Sequence, residues 1–434
     1  MQKSSKNCLS QLSISSNLTK FMSLSLTNKR KIFNDPVYGF ISISNELIFD
    51  LIEHPYFQRL RRIRQLGLTH LVYPGALHTR FHHSLGAMHL MQRAIAELRS
   101  KGQDISQEES LGAEIAILLH DIGHGPFSHA LENAIVNKVD HEELSGIFMN
   151  RLNRIFDGEL TLAMDIFEKK YPKQFLGRMV SGQIDMDRLD YLKRDSFFTG
   201  VAEGVINSDR LINMMSILGD ELVIEAKGIY SVEKFITARR LMYWQVYLHK
   251  TVLAAEYMLM RLLKRAKQLS LNGEKLFGSP ALSFFLEQDI NQSAFYDDEV
   301  IKEFSRLDDY DVFGAMKVWK TNPDKVLSSL SRGIVDRKLF RIELQTNPFG
   351  EEHIHQVKQK TKAKYNLNNE ETEYFVISDS TSNYAYKPGN DRIEILFRDG
   401  SVKGIEEATD ELNISLLSKP VTKYFLCYPK DIEI

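Results

Sequence analysis

The sequence predicts a mainly α protein, with a helical core over residues 29–330 and a smaller α/β part over 331–434. Three observations predict it. Apolar residues recur at helical spacing, with few breakers, through 45–66, 84–100, 110–120, 141–193 and 231–269. After about residue 330 the text turns β-branched and aromatic beside turn residues, in RKLFRIELQ, TEYFVISDS, RIEILFRDG and VTKYFLCYP. The 434 residues, 43% hydrophobic and 26% charged, have the composition of a globular chain with a large core and two or three domains.

In chain order, residues 1–28 are rich in Ser, Leu and Asn and hold no acidic residue. Their apolar positions are too interrupted for a signal-peptide core, so a disordered extension is expected. In KIFNDPVYGFISIS, Asn34-Asp35-Pro36 reads as a turn and FISIS as a short strand. Over 45–66, Leu60, Ile63 and Leu66 suit one helix face, while Arg59, Arg61, Arg62 and Arg64 crowd the rest beside Gln58 and Gln65. Such a cluster is either a solvated face or a place for phosphate or a subunit contact. Residues 67–86 read as a loop that runs into the next helix.

The chain is organised around 115–141, where the apolar run Ile115–Leu119 stops at His120-Asp121 and Gly123, Gly125 and Pro126 force a turn. Eight of the 13 histidines fall between His78 and His141. A buried helix that ends in His-Asp needs polar partners, and a divalent metal suits neutral imidazole beside carboxylate. His82 or His83, His120, Asp121, and Asp185 or Asp187 are the candidate ligands; spacing alone does not choose within either pair. Two imidazoles with two carboxylates suit Fe, Mn, Ni, Zn or Mg. His129 and His141 are then available for proton transfer, with Glu132 near His129, and Arg80, Arg188 and Arg239 can clamp phosphate oxygens. The pattern suits hydrolysis of a phosphate ester. The sequence holds no G-x-S-x-G elbow, Walker A loop, Rossmann fingerprint or C-x-x-C.

Net charge is −2, so nucleic acid is not expected as the main partner. Cys8 and Cys427 make no disulfide framework and fit a cytoplasmic setting, and no apolar run approaches a membrane span.

NDPVYGFI, FQRLRRIRQLG, YPGALHTRFHHSLG, HDIGHGPFSH and IDMDRLDYLKRD together resemble the HD-domain phosphohydrolase superfamily. Within it they look most like the deoxynucleoside triphosphate (dNTP) triphosphohydrolases of the SAM- and HD-domain type, and no SAM domain is expected ahead of Lys31. The resemblance implies an HD-domain helical core. It puts the metal ligands on His83, His120, Asp121 and Asp187, and the catalytic histidine and its acid on His129 and Glu132, with His141 nearby. It puts triphosphate contacts on Arg80, His124, Arg188, Tyr191, Asp195 and Arg239. Gln65 and Leu66 match the pair against the sugar, Tyr247 a tyrosine under the deoxyribose, and Tyr243 replaces a histidine. Nucleotide regulation between subunits of a dimer or tetramer is implied, with Lys31, Asn34, Glu53, Gln58, Arg61, Arg337 and Arg341 in the regulatory pocket. Glu225 stands where an arginine contacts a second activator nucleotide.

The expectation is therefore metal-dependent hydrolysis of a dNTP to deoxynucleoside and inorganic triphosphate. The alternatives are the same metal site acting on a nucleoside monophosphate or a cyclic nucleotide, and a non-catalytic nucleotide sensor.

Overall fold

The N-terminal hairpin pairs β1 (Lys31–Asp35) with β2 (Gly39–Ile43), antiparallel, with Asp35 opposite Gly39. Asp35 Oδ1 accepts the Val37 and Tyr38 amides at 2.9 and 3.0 Å, and Gly39 closes the turn at φ 79°. The computed structural model describes residues 31–43, 45–127, 134, 140–384, 386, 392–409 and 420–434. The extension over 1–28 lies outside them.

The single helix expected over 45–66 is broken. Helix α1 (Glu46–Glu53) stops at His54 because Pro55 has no N–H to continue it. Pro55 instead opens a short helix to Gln58, a tighter turn follows at Arg59–Arg62, and Arg64 bridges Thr79 in extended conformation. Its arginines do not form one solvated face. Arg59 is fully buried and donates to Ile122 O at 2.7 Å and His124 O at 2.8 Å. Arg62 pairs with Asp308, while Arg61 lies 3.5 Å from the centroid of the Phe81 ring.

The core packs α2 (Arg80–Ser100) against α3 (Gln107–Leu119) and α5 (Met186–Thr199), with α4 (His141–Ile155) following the His-Asp turn. Helix α2 starts four residues before the expected 84. Thr79 and His82 close its first turn, with Thr79 Oγ1 2.9 Å from His82 Nδ1. A histidine here takes the place that Glu or Gln holds in the usual capping box, which is why the start was not legible. Helix α3 opens on a true capping box, Ser106 with Glu109, and its run Ile115–Leu119 is buried on every side.

A hairpin that the sequence did not predict, β3 (Met215–Leu218) with β4 (Glu221–Glu225), follows α5. The long helix expected over 231–269 is two helices, α6 (Ile229–Met242) and α7 (Lys250–Leu271), joined by a π turn over Tyr243–Tyr247. Leu248 N bonds back to Tyr243 O at 2.7 Å. No Gly or Pro marks this break, and such turns concentrate at functional sites.

Beyond α8 (Asp309–Trp319) and α9 (Lys325–Val335), β5 (Arg341–Gln345), β6 (Ile377–Asn383) and β9 (Val421–Tyr428) form an antiparallel sheet in the order β5-β9-β6. Strand β7 (Glu394–Leu396) instead pairs with β4 in parallel and with β8 (Val402–Gly404) antiparallel. The C-terminal part thus reaches back across residue 330, and one apolar cluster runs through both parts. Among the described residues no helix is long and apolar enough to cross a membrane.

Candidate metal centre and active-site cavity

Helices α2, α3 and α5 bring His83, His120 and Asp187 together, with one ligand atom of each within 4.8 Å of the others. His83 Nε2 is 3.3 Å from His120 Nε2, and Asp187 Oδ1 is 3.1 and 3.5 Å from the two. Each imidazole has an acceptor at its other nitrogen: Asp190 Oδ2 at 2.7 Å from His83 Nδ1, and Ile117 O at 2.6 Å from His120 Nδ1. With Nδ1–H donated, both Nε2 lone pairs face one point beside a carboxylate oxygen. Three lone pairs facing one another repel unless a proton or a metal ion lies between them, and two imidazoles beside a carboxylate fit a divalent metal.

The pairs that spacing left open separate by their partners. His82 turns to Thr79, whereas His83 joins His120 and Asp187. Asp185 caps α5, accepting the Arg188 and Gly182 amides at 2.7 and 2.8 Å, whereas Asp187 faces the histidines. The Asp121 carboxylate lies 3.4 Å from His120 Nε2 and 3.7 Å from His83 Nε2, and is also held by Arg80 at 2.5 Å and His124 at 3.2 Å.

Burial alone would lower the His83 pKa, but its bonds to Asp187 and Asp190 and the field of Asp121 raise it to about 10. Burial likewise opposes ionisation of Asp121, and Arg80 with His120 and His124 outweighs it, holding the carboxyl well below its usual range. His124 goes the other way. Burial, then Arg80, lower it well below the usual imidazole value, so it is neutral. Its ring stacks on His141 with centroids 4.0 Å apart.

A cavity of about 480 Å³ opens on this group. Gln65, Leu66, Arg80, His124, Arg188, Tyr191, Asp195, Arg239, Tyr243 and Tyr247 line it, with His141, Asp121 and Asp187. The π turn between α6 and α7 sets Tyr243 and Tyr247 edge to face at 5.1 Å. Asp195 is held from both sides, by His78 Nε2 at 2.7 Å and the Tyr247 hydroxyl at 2.8 Å. Arg188 pairs with Asp185. Arg64 Nη1, Gln65 Oε1 and Arg239 Nε are buried with no hydrogen-bond partner among the described residues.

Arg64 and Glu256 also line the cavity and were not singled out as site residues. Arg64 read as one arginine among four; its bridge to Thr79, which turns the chain along the cavity wall, left no pattern in the sequence. His129 and Glu132 lie outside the described residues.

Of the residues assigned to regulation, Lys31 and Asn34 stand on β1, Glu53 ends α1, and Gln58 accepts from Arg61 Nε at 2.8 Å. Arg337 donates to Leu71 O at 2.7 Å, and Arg341 opens β5. Among the described residues no hydrogen bond or ion pair joins Arg337 or Arg341 to the group near the hairpin. Glu225 is committed to Lys101 at 2.8 Å.

Comparison with known proteins adds to this geometry. Residues 80–169 match the HD domain and residues 206–277 the HD associated region. The chain is similar to a phosphohydrolase of Bacteroides thetaiotaomicron of known crystal structure, at 54% identity and a TM-score of 0.89, covering 92% of this chain and 99% of that one. It is 33% identical to the uncharacterized protein YwfO of Bacillus subtilis over 422 residues, 93% of each chain. It is 32% identical over 251 residues to the deoxynucleoside triphosphate triphosphohydrolase SAMHD1 homolog of Dictyostelium discoideum, covering 53% of this chain and 48% of that one.

Proposed function

This chain belongs to the HD-domain phosphohydrolases, and we propose that it hydrolyses dNTPs to deoxynucleoside and inorganic triphosphate. The observation that carries the reading is the set of polar atoms on Arg64, Gln65 and Arg239 that are buried without partners among the described residues, lining a cavity beside the His83–His120–Asp187 group. Buried guanidinium nitrogens without acceptors are costly until an anion arrives. Four guanidinium groups, those of Arg64, Arg80, Arg188 and Arg239, line the cavity. Arg80 and Arg188 already pair with Asp121 and Asp185, which leaves Arg64 and Arg239 to draw further phosphate charge. Two cations beyond a metal site suit a polyphosphate better than a monophosphate or cyclic phosphate. The cavity also lies within the roughly 300–1,000 Å³ usual for small-molecule sites.

His83, His120, Asp121 and Asp187 would hold the metal. When bound, a divalent ion there neutralises charge on a phosphoryl oxygen and lowers the pKa of water. In the proposed reaction water attacks the α-phosphorus, the bond to the 5′ oxygen breaks, and His129 protonates that oxygen, with Glu132 orienting the imidazole. Neutral His124, stacked on His141, can donate to a phosphate oxygen. Asp195, its carboxylate held by His78 and the Tyr247 hydroxyl, stands among the triphosphate contacts beside the rings of Tyr191, Tyr243 and Tyr247. Gln65 and Leu66 then lie against the sugar.

The remaining parts of the reading are a cytoplasmic setting, a homo-oligomer, and activator nucleotides at Lys31, Asn34, Glu53, Gln58, Arg61, Arg337 and Arg341. The test is a product assay with each dNTP, singly and in mixtures, with Mg, Mn or Fe. Inorganic triphosphate is the expected product, and activity confined to mixtures would support the activator site. Release of orthophosphate or pyrophosphate would overturn the triphosphohydrolase reading. Bound nucleotide without hydrolysis would favour the sensor.

A further inference from the structure

Behind His83 a chain of buried charges runs out to the N-terminal hairpin. His83 Nδ1 meets Asp190 Oδ2 at 2.7 Å. Arg194 grips the same carboxylate through Nε and Nη2, each at 2.9 Å, and its Nη1 donates to Asp35 Oδ2 at 2.8 Å. The other oxygen of Asp35 accepts the two amides that close the hairpin turn. His83, Asp190 and Arg194 are fully buried, and Asp35 is 7% exposed. The packing is close: a Cβ at Gly86 would stand 2.0 Å from Asp190 Oδ1 and 2.2 Å from Arg194 Nη2.

Stability alone does not explain such a chain. A buried ion pair holds a fold no better than apolar residues of the same volume, because desolvation offsets the attraction. What it supplies is direction. One bond to His83 leaves the Asp190 carboxylate free to rotate about its own axis. The bidentate guanidinium fixes that plane, and Asp35, by taking the remaining nitrogen, fixes the guanidinium. Asp35 lies 159 residues from Arg194 in sequence, so a hairpin remote along the chain braces the imidazole from behind.

We propose that Asp35 is a positioning residue for the metal centre, acting through Arg194 and Asp190 to hold the His83 imidazole with Nε2 toward the ion. The proposal rests on the metal reading of the His83–His120–Asp187 group, and not on which nucleotide is hydrolysed.

The test measures metal binding without substrate. The full chain is stripped of metal, and its affinity for Mn²⁺ is read by competition with a chelating fluorescent indicator. Asp35→Asn keeps an oxygen for the turn amides but turns a donor toward Arg194. Its Mn²⁺ affinity should fall about tenfold, the low end for partners outside the ligand shell. Gly39→Ala is the structural control: it strains the turn at φ 79°, with nothing within 4 Å of the added Cβ, and leaves the ion chain intact. It should lower the melting temperature yet bind Mn²⁺ as the wild type does. If Asp35→Asn does not fold, Asp35→Glu keeps the charge but displaces the carboxylate from Arg194 by one methylene, and should show a loss of Mn²⁺ affinity in the same direction. Wild-type affinity in whichever Asp35 variant folds overturns the proposal. So does a loss in Gly39→Ala that tracks its melting temperature. A wild-type chain that binds no Mn²⁺ overturns the metal reading itself, and is seen before any variant is compared.

Discussion

The two sides of the His83–His120–Asp187 group are built to opposite rules. On the side of α5 and the hairpin, charges are matched: His83 with Asp190, Asp190 with Arg194, Arg194 with Asp35. On the cavity side, Arg64 Nη1, Gln65 Oε1 and Arg239 Nε are buried without partners among the described residues. A matched network has one low-energy arrangement, so it positions. An unmatched wall has a deficit that a ligand can fill, so it binds. Both rely on arginine, and only the partners tell them apart.

The largest effect should come from the group that both sides share. Asp187→Ala removes the oxygen 3.1 Å from His83 Nε2 and 3.5 Å from His120 Nε2. Elemental analysis should show metal lost, with turnover down about a thousandfold or more, since a catalytic metal stabilises the transition state by several kcal/mol. His129→Ala should stop turnover as thoroughly while metal content stays at the wild-type level. Retained metal in Asp187→Ala would remove it from the ligand set, and full activity in His129→Ala would remove that histidine from the reaction.

Next in size is a pH effect on the cavity side, behind Arg64 and Phe127. Asp309, at the start of α8, accepts the Arg64 amide at 3.0 Å and the Phe127 amide at 3.3 Å. Burial pushes its carboxyl up to about 6. With a raised value, the folded chain binds this proton more tightly than the unfolded chain does. The stability it contributes is complete below about pH 4 and is lost as pH rises through about 6, roughly 3 kcal/mol in all. Asp309→Asn should remove that slope. The check is the difference in melting temperature between variant and wild type from pH 4 to 7. A difference that does not change with pH would mean that Asp309 stays ionised.

How much of this was legible beforehand follows from the same contrast. Histidines and carboxylates at short spacing are visible in sequence, so HDIGHGPFSH named His120, Asp121 and the turn. Helices with apolar periodicity were visible as well. What stayed hidden depends on the backbone changing course without punctuation. The π turn at Tyr243–Tyr247 has no Gly or Pro, and the extended stretch at Arg64 lies within an apparently helical pattern. Pro55 ends the first helix within a stretch whose Leu60, Ile63 and Leu66 keep helical spacing beyond it. The role of Asp35 needed coordinates, because its partner Arg194 lies 159 residues away.

The smallest effect tests the contrast most directly. Arg239→Gln and Arg64→Gln remove guanidinium groups with buried nitrogens that have no partner among the described residues. Substrate affinity should suffer and the fold should not. KM for a dNTP should rise roughly ten- to hundredfold for Arg239, since a hydrogen bond to a charged group is worth about 1.5–3 kcal/mol. Arg64, whose guanidinium lies in the field of the Asp309 carboxyl, should show the lower end of that range. The melting temperature without nucleotide should hold or rise slightly, because a buried guanidinium nitrogen without an acceptor among the described residues has been removed. Arg194→Gln, on the matched side, should lower it by several degrees, since it strands Asp35 and Asp190. If Arg239→Gln melted early with KM unchanged, Arg239 would belong with the residues that build the site and not with those that hold the substrate.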